Sequence, residues 1–256
     1  MSLNLFDLTG RIAIITGTGR GIGRELALGF AAAGAIVVGC ARTPESAQKT
    51  AAEIIAEGKE AAGCQCDVTV PAEVEALVDD TVRRYGKLDI MVCNAGINIR
   101  KPAMDFTPAE FAAVMTGNLT AYFLCARAAA RQFKAQGSGG AIVMTSSNAS
   151  VAAFEGLAPY CAAKGGIDML VRALAAEWGP YGIRVNAFNP GYTTHSMTPD
   201  GQAYLAEAEN EIAARTPLRR MARTSEMVGP AIFLASDAAS FITGTVVLVD
   251  GGWCAL

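Results

Sequence analysis

The stretch that decides the fold is Thr16-Gly17-Thr18-Gly19-Arg20-Gly21-Ile22-Gly23. It follows an apolar run at residues 12–15, short enough for a buried strand, and precedes residues 25–33, whose pattern predicts a helix. A strand that turns sharply into a helix leaves the first N–H groups of that helix without partners, and such an end binds the pyrophosphate of a dinucleotide well. Glycines let the backbone turn tightly and approach the phosphates closely.

The glycine spacing, Gly-x-x-x-Gly-x-Gly, differs from two common phosphate-binding fingerprints. It is not Gly-x-Gly-x-x-Gly, and no Gly-Lys-Ser/Thr follows it as in a P-loop. An ordinary turn explains such a stretch equally well when it is taken alone. Because a strand precedes it and a helix follows, a nucleotide-binding loop is the better hypothesis. The expected contacts in this loop are Gly17, Gly19, Arg20, Gly21, Ile22 and Gly23.

Strand and helix patterns alternate along the rest of the chain. Further strands are predicted at residues 35–41, 61–66, 89–93, 141–145, 183–188 and 245–249. Helices are predicted at about residues 44–57, from residue 71, and at 107–135, 159–178, 202–214 and 225–235. This alternation implies right-handed βαβ crossovers. We therefore expect residues 1–256 to form a single α/β domain of the doubly wound, Rossmann type, with helices on both faces of a parallel seven-stranded sheet.

The composition excludes several classes of function. A net charge of −3 gives no electrostatic case for binding nucleic acid or an anionic membrane surface. No apolar stretch reaches membrane-spanning length, and the N-terminus lacks the pattern of a signal peptide. The 7 cysteines form no Cys-x-x-Cys pair, and the single histidine argues against a histidine-rich zinc site. We expect a cytoplasmic protein with reduced thiols, without a metal, nucleic acid or membrane as a partner.

A tyrosine and a lysine form the first candidate for catalysis. Tyr160 and Lys164 share a face of a predicted helix, because residues at i and i+4 lie one above the other. Such a pair usually only packs. Here the neighbouring residues are small and apolar, and Ser147 ends the preceding strand. Because ligands bind at the carboxyl ends of parallel strands, the loops that follow these strands should meet in one crevice.

A series of motifs resembles the short-chain dehydrogenase/reductase family. They are Thr16-Gly17-x-x-x-Gly21-x-Gly23, Asn94-Ala95-Gly96, Asn118, Ser147, Tyr160-x-x-x-Lys164 and Asn189-Pro190-Gly191. They stand in the family's order and at its spacing, over nearly the whole chain. The resemblance implies a catalytic tetrad of Asn118, Ser147, Tyr160 and Lys164. It also implies cofactor contacts by Asp67, Val68, Asn94, Ala95, Gly96, Tyr160, Lys164, Pro190, Gly191 and Thr193.

Physical chemistry supports the roles that the resemblance implies. Hydride transfer to or from a carbonyl carbon needs a proton donor or acceptor at the oxygen, and Tyr160 is expected to serve. The pKa of its phenol would have to fall by about 3 units, roughly 4 kcal/mol, for it to act near neutral pH. Lys164 and the positive oxidised nicotinamide would together supply that stabilisation. Ser147 is expected to hydrogen-bond the substrate oxygen, and Asn118 to keep a water behind Lys164.

The end of the second predicted strand bears on the choice of cofactor. An acidic residue there would bind a free ribose 2′-hydroxyl and repel a 2′-phosphate. This chain has Ala41 and then Arg42, with Arg20 in the glycine loop. Two guanidinium groups suit a phosphate, although a solvated surface arginine explains Arg42 nearly as well when it is taken singly. The sequence favours NADP(H), and NAD(H) stays an alternative.

The segment after Pro190 departs from the family pattern. His195 stands where the family usually has a threonine that touches the nicotinamide side. Thr193 or Thr194 could take over that contact. A loop histidine is most often solvated, but this one could lie near the site, so the role of His195 stays open.

The substrate is a hydroxy or keto compound, by resemblance a secondary alcohol and its ketone. Residues 97–102, 136–140 and 249–253 most resemble sugar-acid and polyol dehydrogenases, such as those for gluconate or ketodeoxy-gluconate. Arg100 or Lys101 would then pair with a substrate carboxylate, although two solvated loop charges explain them as well.

Two other functions stay open, a 3-oxoacyl-thioester reductase of the same fold and a non-catalytic dinucleotide-binding regulator. The resemblance and the alanine-rich helices around Asn118 and Tyr160 predict a homotetramer.

Overall fold

The computed structural model describes residues 4–195 and 197–255. Its strands are β1 (Ile12–Thr16), β2 (Ile36–Ala41), β3 (Ala61–Gln65), β4 (Ile90–Cys93), β5 (Gly140–Thr145), β6 (Ile183–Pro190) and β7 (Val246–Val249). They form one 7-stranded sheet in the order β3-β2-β1-β4-β5-β6-β7, and each neighbouring pair is parallel. The predicted sheet is confirmed. The order reverses between β1 and β4, which is where doubly wound sheets bind ligands.

The helices begin and end close to their predicted positions. They are α1 (Gly21–Ala32), α2 (Pro44–Ala56), α3 (Pro71–Tyr85), α4 (Pro108–Met115), α5 (Ala121–Gln136), α6 (Ala158–Trp178), α7 (Pro199–Glu207), α8 (Glu209–Arg215) and α9 (Val228–Ala235). Several begin with proline, whose fixed φ suits the first helical position and whose missing N–H would have had no partner there. Thr107 and Glu110 cap α4 reciprocally: Glu110 N donates to Thr107 Oγ1 (3.2 Å), and Thr107 N donates to Glu110 Oε2 (2.9 Å).

Two helical segments differ from the prediction. The helix predicted at residues 107–135 is continuous but contains a π-helical turn, Thr116–Thr120, between α4 and α5. The helix predicted at residues 202–214 is broken at Ala208, whose φ of −93° and ψ of 7° depart from helical values. Both differences affect the site, since the π turn contains Asn118 and the broken helix borders the cleft described below.

Apolar side chains cover both faces of the sheet. One cluster packs α3, α5 and α6 against one face, with Val74, Ala129 and Ile167 among its buried members. The other packs α1, α2 and α9 against the opposite face. Strands covered on both sides carry nearly continuous apolar runs, and all five residues of β1 are buried. The helices therefore leave only the ends of the strands open to a ligand.

Membrane-spanning helices and metal-binding clusters are both lacking among the described residues. Over 4–195 and 197–255, no helix is long and apolar enough to cross a membrane. The same residues contain no group of three or more His, Cys, Asp or Glu side chains arranged to hold a metal ion.

Candidate active site

A cleft of about 650 Å³ lies along the carboxyl ends of the strands. The loops that follow β1, β2, β4, β5 and β6 line it, as the crossover topology requires. The predicted site residues that line this cleft are Gly17, Gly19, Arg20, Gly21, Ile22, Gly23, Arg42, Asp67, Val68, Asn94, Ala95, Gly96, Ser147, Tyr160, Lys164, Pro190, Gly191 and Thr193. Asn118, the remaining predicted residue, lies behind the cleft wall and is fully buried.

The glycine loop forms a cradle that side chains would fill. Gly17 has a φ of +76°, and a Cβ built on it would lie 2.9 Å from Ala95 Cα. A Cβ on Gly23 would lie 2.1 Å from the carbonyl oxygen of Gly17. Only glycine fits these two positions. The cradle opens onto the first turn of α1, whose unpartnered N–H groups suit a pyrophosphate.

The floor of the cradle is tied to the loop after β4. Thr16 Oγ1 accepts hydrogen bonds from Asn94 N (2.9 Å) and Ala95 N (3.0 Å). Asn94 Nδ2 donates in return to the carbonyl oxygen of Thr16 (3.0 Å). Thr16 is buried, so these bonds are protected from water. The Thr-Gly and Asn-Ala-Gly motifs therefore act as one unit.

Two exposed arginines, Arg20 and Arg42, line the cleft. Arg20 Nη2 donates to the carbonyl oxygen of Met197 (2.7 Å) and so fastens the loop after β6 over the glycine loop. A hydrogen bond from Thr69 holds the pKa of Asp67 below its usual value, and the Arg42 guanidinium lowers that pKa further. Asp67 therefore stays ionised beside Arg42.

Two hydroxyl residues of the cleft lining were missed by the sequence analysis. Thr43 and Ser46 line the cleft, and a Cβ on Gly19 would lie 2.6 Å from Ser46 Oγ. Ser46 follows β2 by only a few residues, so a search of the first turn of α2 for hydroxyl side chains would have found it.

Tyr160, Lys164 and Ser147 meet at the middle of the cleft. Ser147 lies close enough to Tyr160 to lower the pKa of its phenol. Ser147 Oγ accepts from Ala149 N (3.1 Å) and donates to Asn148 Oδ1 (3.3 Å). Lys164 Nζ lies 5.5 Å from the centroid of the Tyr160 ring and donates to the carbonyl oxygen of Thr145 (2.7 Å). The helix places the tyrosine and lysine on one face, as their spacing predicts.

Burial sets the ionisation of this pair within the chain. It raises the pKa of Tyr160 to about 12, opposed by the nearby Ser147 side chain. It lowers the pKa of Lys164 to about 7, opposed by the Asp168 carboxylate. Both shifts have one cause, since a low-dielectric site disfavours the charged form of either group. The decrease in the pKa of Tyr160 that was expected from Lys164 is therefore not found in the chain alone, where burial raises that pKa.

Asn118 holds the loop after β4 from within the π turn. Its Nδ2 donates to the carbonyl oxygens of Ile97 and Val114 (2.8 Å each), and its Oδ1 accepts from Ile97 N (3.2 Å). Both amide hydrogens are therefore used. The side chain serves to position the loop, which leaves the backbone carbonyl as the group that could hold the predicted water.

Polar and aromatic side chains that the motifs did not indicate also line the cleft. They are Asn98, Asn148, Phe154, Tyr192 and Tyr204. Asn98 Oδ1 and Asn148 Nδ2 are buried without a hydrogen-bond partner in the part of the chain that the structure describes. Asn148 adjoins Ser147, so its position at the end of β5 was a usable signal. No local pattern predicts the aromatic residues, because long-range packing brings them together.

Arg100 and Lys101 have different surroundings. The Arg100 guanidinium lies over the Tyr204 ring, 4.3 Å from its centroid, and Nη1 donates to the carbonyl oxygen of Glu155 (3.1 Å). Lys101 Nζ is paired with both carboxylate oxygens of Glu110, at 2.7 and 2.5 Å. Arg100 lines the cleft, whereas Lys101 does not.

His195 lies on the glycine loop rather than away from the cleft. Its Cδ2 is 2.7 Å from the place where a Cβ of Gly21 would lie. Thr193 Oγ1 donates to the carbonyl oxygen of His195 (2.9 Å), which fixes the loop between them. The histidine therefore covers the glycine loop at Gly21, and we assign it no other role.

Comparisons with known proteins agree with this arrangement. A protein-family model described as enoyl-(acyl carrier protein) reductase matches residues 17–254. The chain is 35% identical over 258 residues to 2-dehydro-3-deoxy-D-gluconate 5-dehydrogenase of Escherichia coli (strain K12), with 100% of both chains covered.

Solved structures show the same fold over the whole chain. One, described as a gluconate 5-dehydrogenase from Burkholderia cenocepacia J2315 in complex with NADP and tartrate, has a TM-score of 0.94, 39% identity and 100% coverage of both chains. Another, a short-chain type dehydrogenase/reductase from Mycobacterium marinum, has a TM-score of 0.93, 39% identity and 98% coverage of each chain. With its cleft, its motifs and these relatives in agreement, the chain belongs to the short-chain dehydrogenase/reductase family.

Proposed function

We propose that this enzyme interconverts a secondary hydroxyl group and a ketone on a sugar acid, with NADP(H) as the cofactor. The observation that carries this proposal is a pair of buried amide atoms on residues of the cleft lining, Asn98 Oδ1 and Asn148 Nδ2, which have no hydrogen-bond partner among the described residues. A buried polar atom left without a partner costs about 1–3 kcal/mol. A substrate that supplies hydrogen bonds at both atoms recovers that cost on binding.

The chemistry of the two atoms favours a polyhydroxylated substrate. Asn98 Oδ1 is an acceptor and Asn148 Nδ2 is a donor, so hydroxyl groups, which donate and accept, match both. The chain of an acyl thioester offers mostly methylene groups next to its reacting carbonyl and would leave the amides unpaired. The cleft therefore favours a sugar derivative over a 3-oxoacyl thioester.

Arg100 supports a carboxylate on that substrate. Its guanidinium is held over Tyr204 and against Glu155 without an ion pair to a carboxylate side chain in residues 4–195 and 197–255. Arginine binds carboxylates with two parallel hydrogen bonds where its plane is fixed. Since Lys101 is already paired with Glu110, we assign the substrate carboxylate to Arg100. Relatives named for gluconate and 2-dehydro-3-deoxy-D-gluconate support a sugar acid as the substrate.

The residues of the other half of the cleft fit a dinucleotide. The cradle around Gly17 and Gly23 would hold the pyrophosphate, and Arg42 with Arg20 would hold a 2′-phosphate. When bound, the nicotinamide ring accepts or supplies the hydride. A similar enzyme described as bound to NADP supports NADP(H) for this chain, while the absence of an acid after β2 does not by itself exclude NAD(H).

Residues of the chain itself would carry out the proton transfer. Tyr160 would take it from or return it to the substrate oxygen, and Ser147 Oγ would hydrogen-bond that oxygen. Lys164, buried at the cleft floor, would supply positive charge next to the phenol. The backbone carbonyl of Asn118 would hold the water behind Lys164. In this scheme each member of the tetrad has its own role. Tyr160 is the acid–base group, Ser147 contacts the substrate, Lys164 supplies the charge, and Asn118 is the positioning residue.

A substrate panel tests the proposed reaction. The panel contains a gluconate-type acid, its neutral polyol analogue, a simple secondary alcohol and a 3-oxoacyl thioester, each followed by reduced-nicotinamide absorbance. We expect the highest kcat/KM with the sugar acid. A higher value with the thioester would identify an acyl reductase instead. Cofactor binding with no turnover of any compound would support a non-catalytic regulator.

We also propose a homotetramer. Large apolar side chains are exposed on α4, α5, α6 and β7 of the single chain: Phe111, Phe123, Met169 and Leu248. They lie on two sides of the molecule, the paired helices and the β7 edge of the sheet. Two separate apolar surfaces suit a tetramer with two-fold axes, in which each surface packs against its own copy. Light scattering should give four times the chain mass of 26.5 kDa, and a monomer at micromolar concentration would contradict the proposal.

For the compartment we propose the cytoplasm. All the cysteines are free thiols, which fits a reducing environment. Fractionation of cells expressing the protein at its natural level would test this location.

A further inference from the structure

A second tyrosine, Tyr122 near the start of α5, lies behind the catalytic lysine. Its hydroxyl is 3.3 Å from Lys164 Nζ, and both side chains are almost fully buried. Tyr122 does not line the cleft, so it lies outside the reach of a bound substrate. We propose that Tyr122 is a positioning residue, which aims the Lys164 ammonium at the cleft and keeps it charged.

The hydrogen bonds around Lys164 Nζ form a closed triangle. Lys164 Nζ donates to the carbonyl oxygen of Thr145 (2.7 Å) and to Tyr122 Oη (3.3 Å). Tyr122 Oη donates its own proton to that Thr145 oxygen (3.0 Å). An ammonium has three N–H donors, so two point to the interior and one is left for the cleft. The triangle thus fixes the direction of the third donor.

The Tyr122 ring adds to the effect of its hydroxyl. Lys164 Nζ lies 4.8 Å from the centroid of the Tyr122 ring and 5.5 Å from that of Tyr160. Both distances are within the range in which an aromatic face attracts a cation. Ring and hydroxyl of Tyr122 therefore both favour the charged form of Lys164, which burial disfavours.

The ionisable groups that face this pair leave the Tyr122 hydroxyl protonated. Tyr160 and Asp168 approach from α6, Cys93 from β4 and Cys125 from α5. Burial first, and then Tyr160, Cys93 and Cys125, raise the pKa of Tyr122 well above its usual value. Its proton therefore stays on the bond to Thr145, and an oxygen lone pair stays available to Lys164.

The test is Tyr122→Phe, which keeps the ring and removes the acceptor. The inference rests on the proposed role of Lys164 but not on the identity of the substrate, so the fastest substrate of the panel is used. A hydrogen bond to a charged group is worth about 10- to 150-fold. We expect kcat to fall about tenfold or more, and the acidic limb of the kcat/KM profile for alcohol oxidation to move up by about one pH unit.

A second measurement needs neither turnover nor cofactor. In protein carrying lysine labelled with ¹³C at Cε, NMR titration follows the ionisation of Lys164, and Lys164→Met identifies its resonance. We expect the pKa of Lys164 to be lower in Tyr122→Phe than in the wild type, because the variant lacks the oxygen that accepts from the ammonium. Tyr85→Phe is the matched control, since that hydroxyl is also buried and has no partner in the described part of the chain. It should leave the lysine titration and the pH profile unchanged.

The two proposals fail separately. An unchanged Lys164 titration and an unchanged pH profile in Tyr122→Phe would overturn the positioning role, whatever the substrate. A loss of unfolding free energy alone, with both of these unchanged, would overturn it as well, because packing by itself predicts that result. If the thioester has the highest kcat/KM of the panel, the sugar-acid function is rejected. The result for Tyr122→Phe does not depend on that outcome.

Discussion

At the residue scale, the only role proposed for Tyr160 is proton transfer to and from the substrate oxygen. We predict that Tyr160→Phe lowers kcat by about 10²–10⁴-fold, the usual contribution of a general acid–base group. The affinity for the cofactor should stay within a few-fold of the wild-type value, since the phenol is not part of the glycine loop that would bind the pyrophosphate. The measurements are kcat for the best substrate and cofactor binding by fluorescence titration. Retention of most of the wild-type rate would remove Tyr160 from its role.

Arg42 is the residue on which cofactor choice should depend. It stands where an acidic residue would select a free 2′-hydroxyl, and it lies beside the ionised Asp67 at the end of the cleft. We predict that Arg42→Ala, and more strongly Ala41→Asp, shifts the ratio of kcat/KM values towards NAD(H) by about 10- to 150-fold. Lys49→Ala, on the helix that follows Arg42 but outside the cleft lining, is the control. A wild-type preference for NAD(H) would contradict the assignment.

Lys164 gives the site a measurable pH signature in stability. Burial lowers its pKa to about 7, below the ordinary lysine value of 10.5, so the folded chain binds fewer protons than the unfolded chain between these pH values. Stability contributed by this group therefore rises with pH from about 7 towards 10.5 and is at its lowest below pH 7. We predict that Lys164→Met gains most in unfolding free energy, relative to the wild type, at pH 6. The gain should shrink by pH 9 in urea denaturation, and a difference independent of pH would contradict a perturbed lysine.

At the element scale, the π turn between α4 and α5 connects the helix pair to the loop after β4. Asn118 alone makes three hydrogen bonds from that turn, two of them to Ile97. We predict that Asn118→Ala lowers the unfolding free energy by about 1–3 kcal/mol, the cost of leaving buried partners unpaired, and lowers kcat as the loop shifts. Urea denaturation and kcat measure the two effects. An Asn118→Ala variant with wild-type activity and stability would show that the loop after β4 keeps its conformation without these hydrogen bonds.

Sequence patterns predicted the regular elements well for a physical reason. Strands covered on both faces must be apolar runs, and prolines and Thr107 mark helix starts through their own backbone chemistry. The π turn escaped prediction because one extra residue in a helical turn barely changes the apolar period. The break at Ala208 also escaped, since neither glycine nor proline marks it.

At the scale of the whole molecule, topology alone placed most of the cleft. Once a parallel sheet was expected, the loops at the carboxyl ends of its strands had to converge, and all residues predicted for the tetrad and the cofactor contacts, except Asn118, line one cavity. The substrate end was different. Phe154, Tyr192 and Tyr204 come from separate loops and a helix, and only tertiary packing brings them together. Tyr122 was hidden for the same reason, because its contact with Lys164 joins two helices far apart in sequence.

The central claim, a sugar-acid dehydrogenase that holds its substrate carboxylate at Arg100, is tested most directly by one comparison. The measurement is kcat/KM for a gluconate-type acid and for its neutral polyol analogue, in the wild type, in Arg100→Ala and in the control Lys101→Ala. The account predicts that Arg100→Ala loses about 10- to 150-fold on the acid and little on the polyol, the effect of one charge-assisted contact. Lys101→Ala, whose cation is already paired with Glu110, should leave that ratio close to wild type. An equal loss on both substrates, or activity confined to acyl thioesters, would contradict the account.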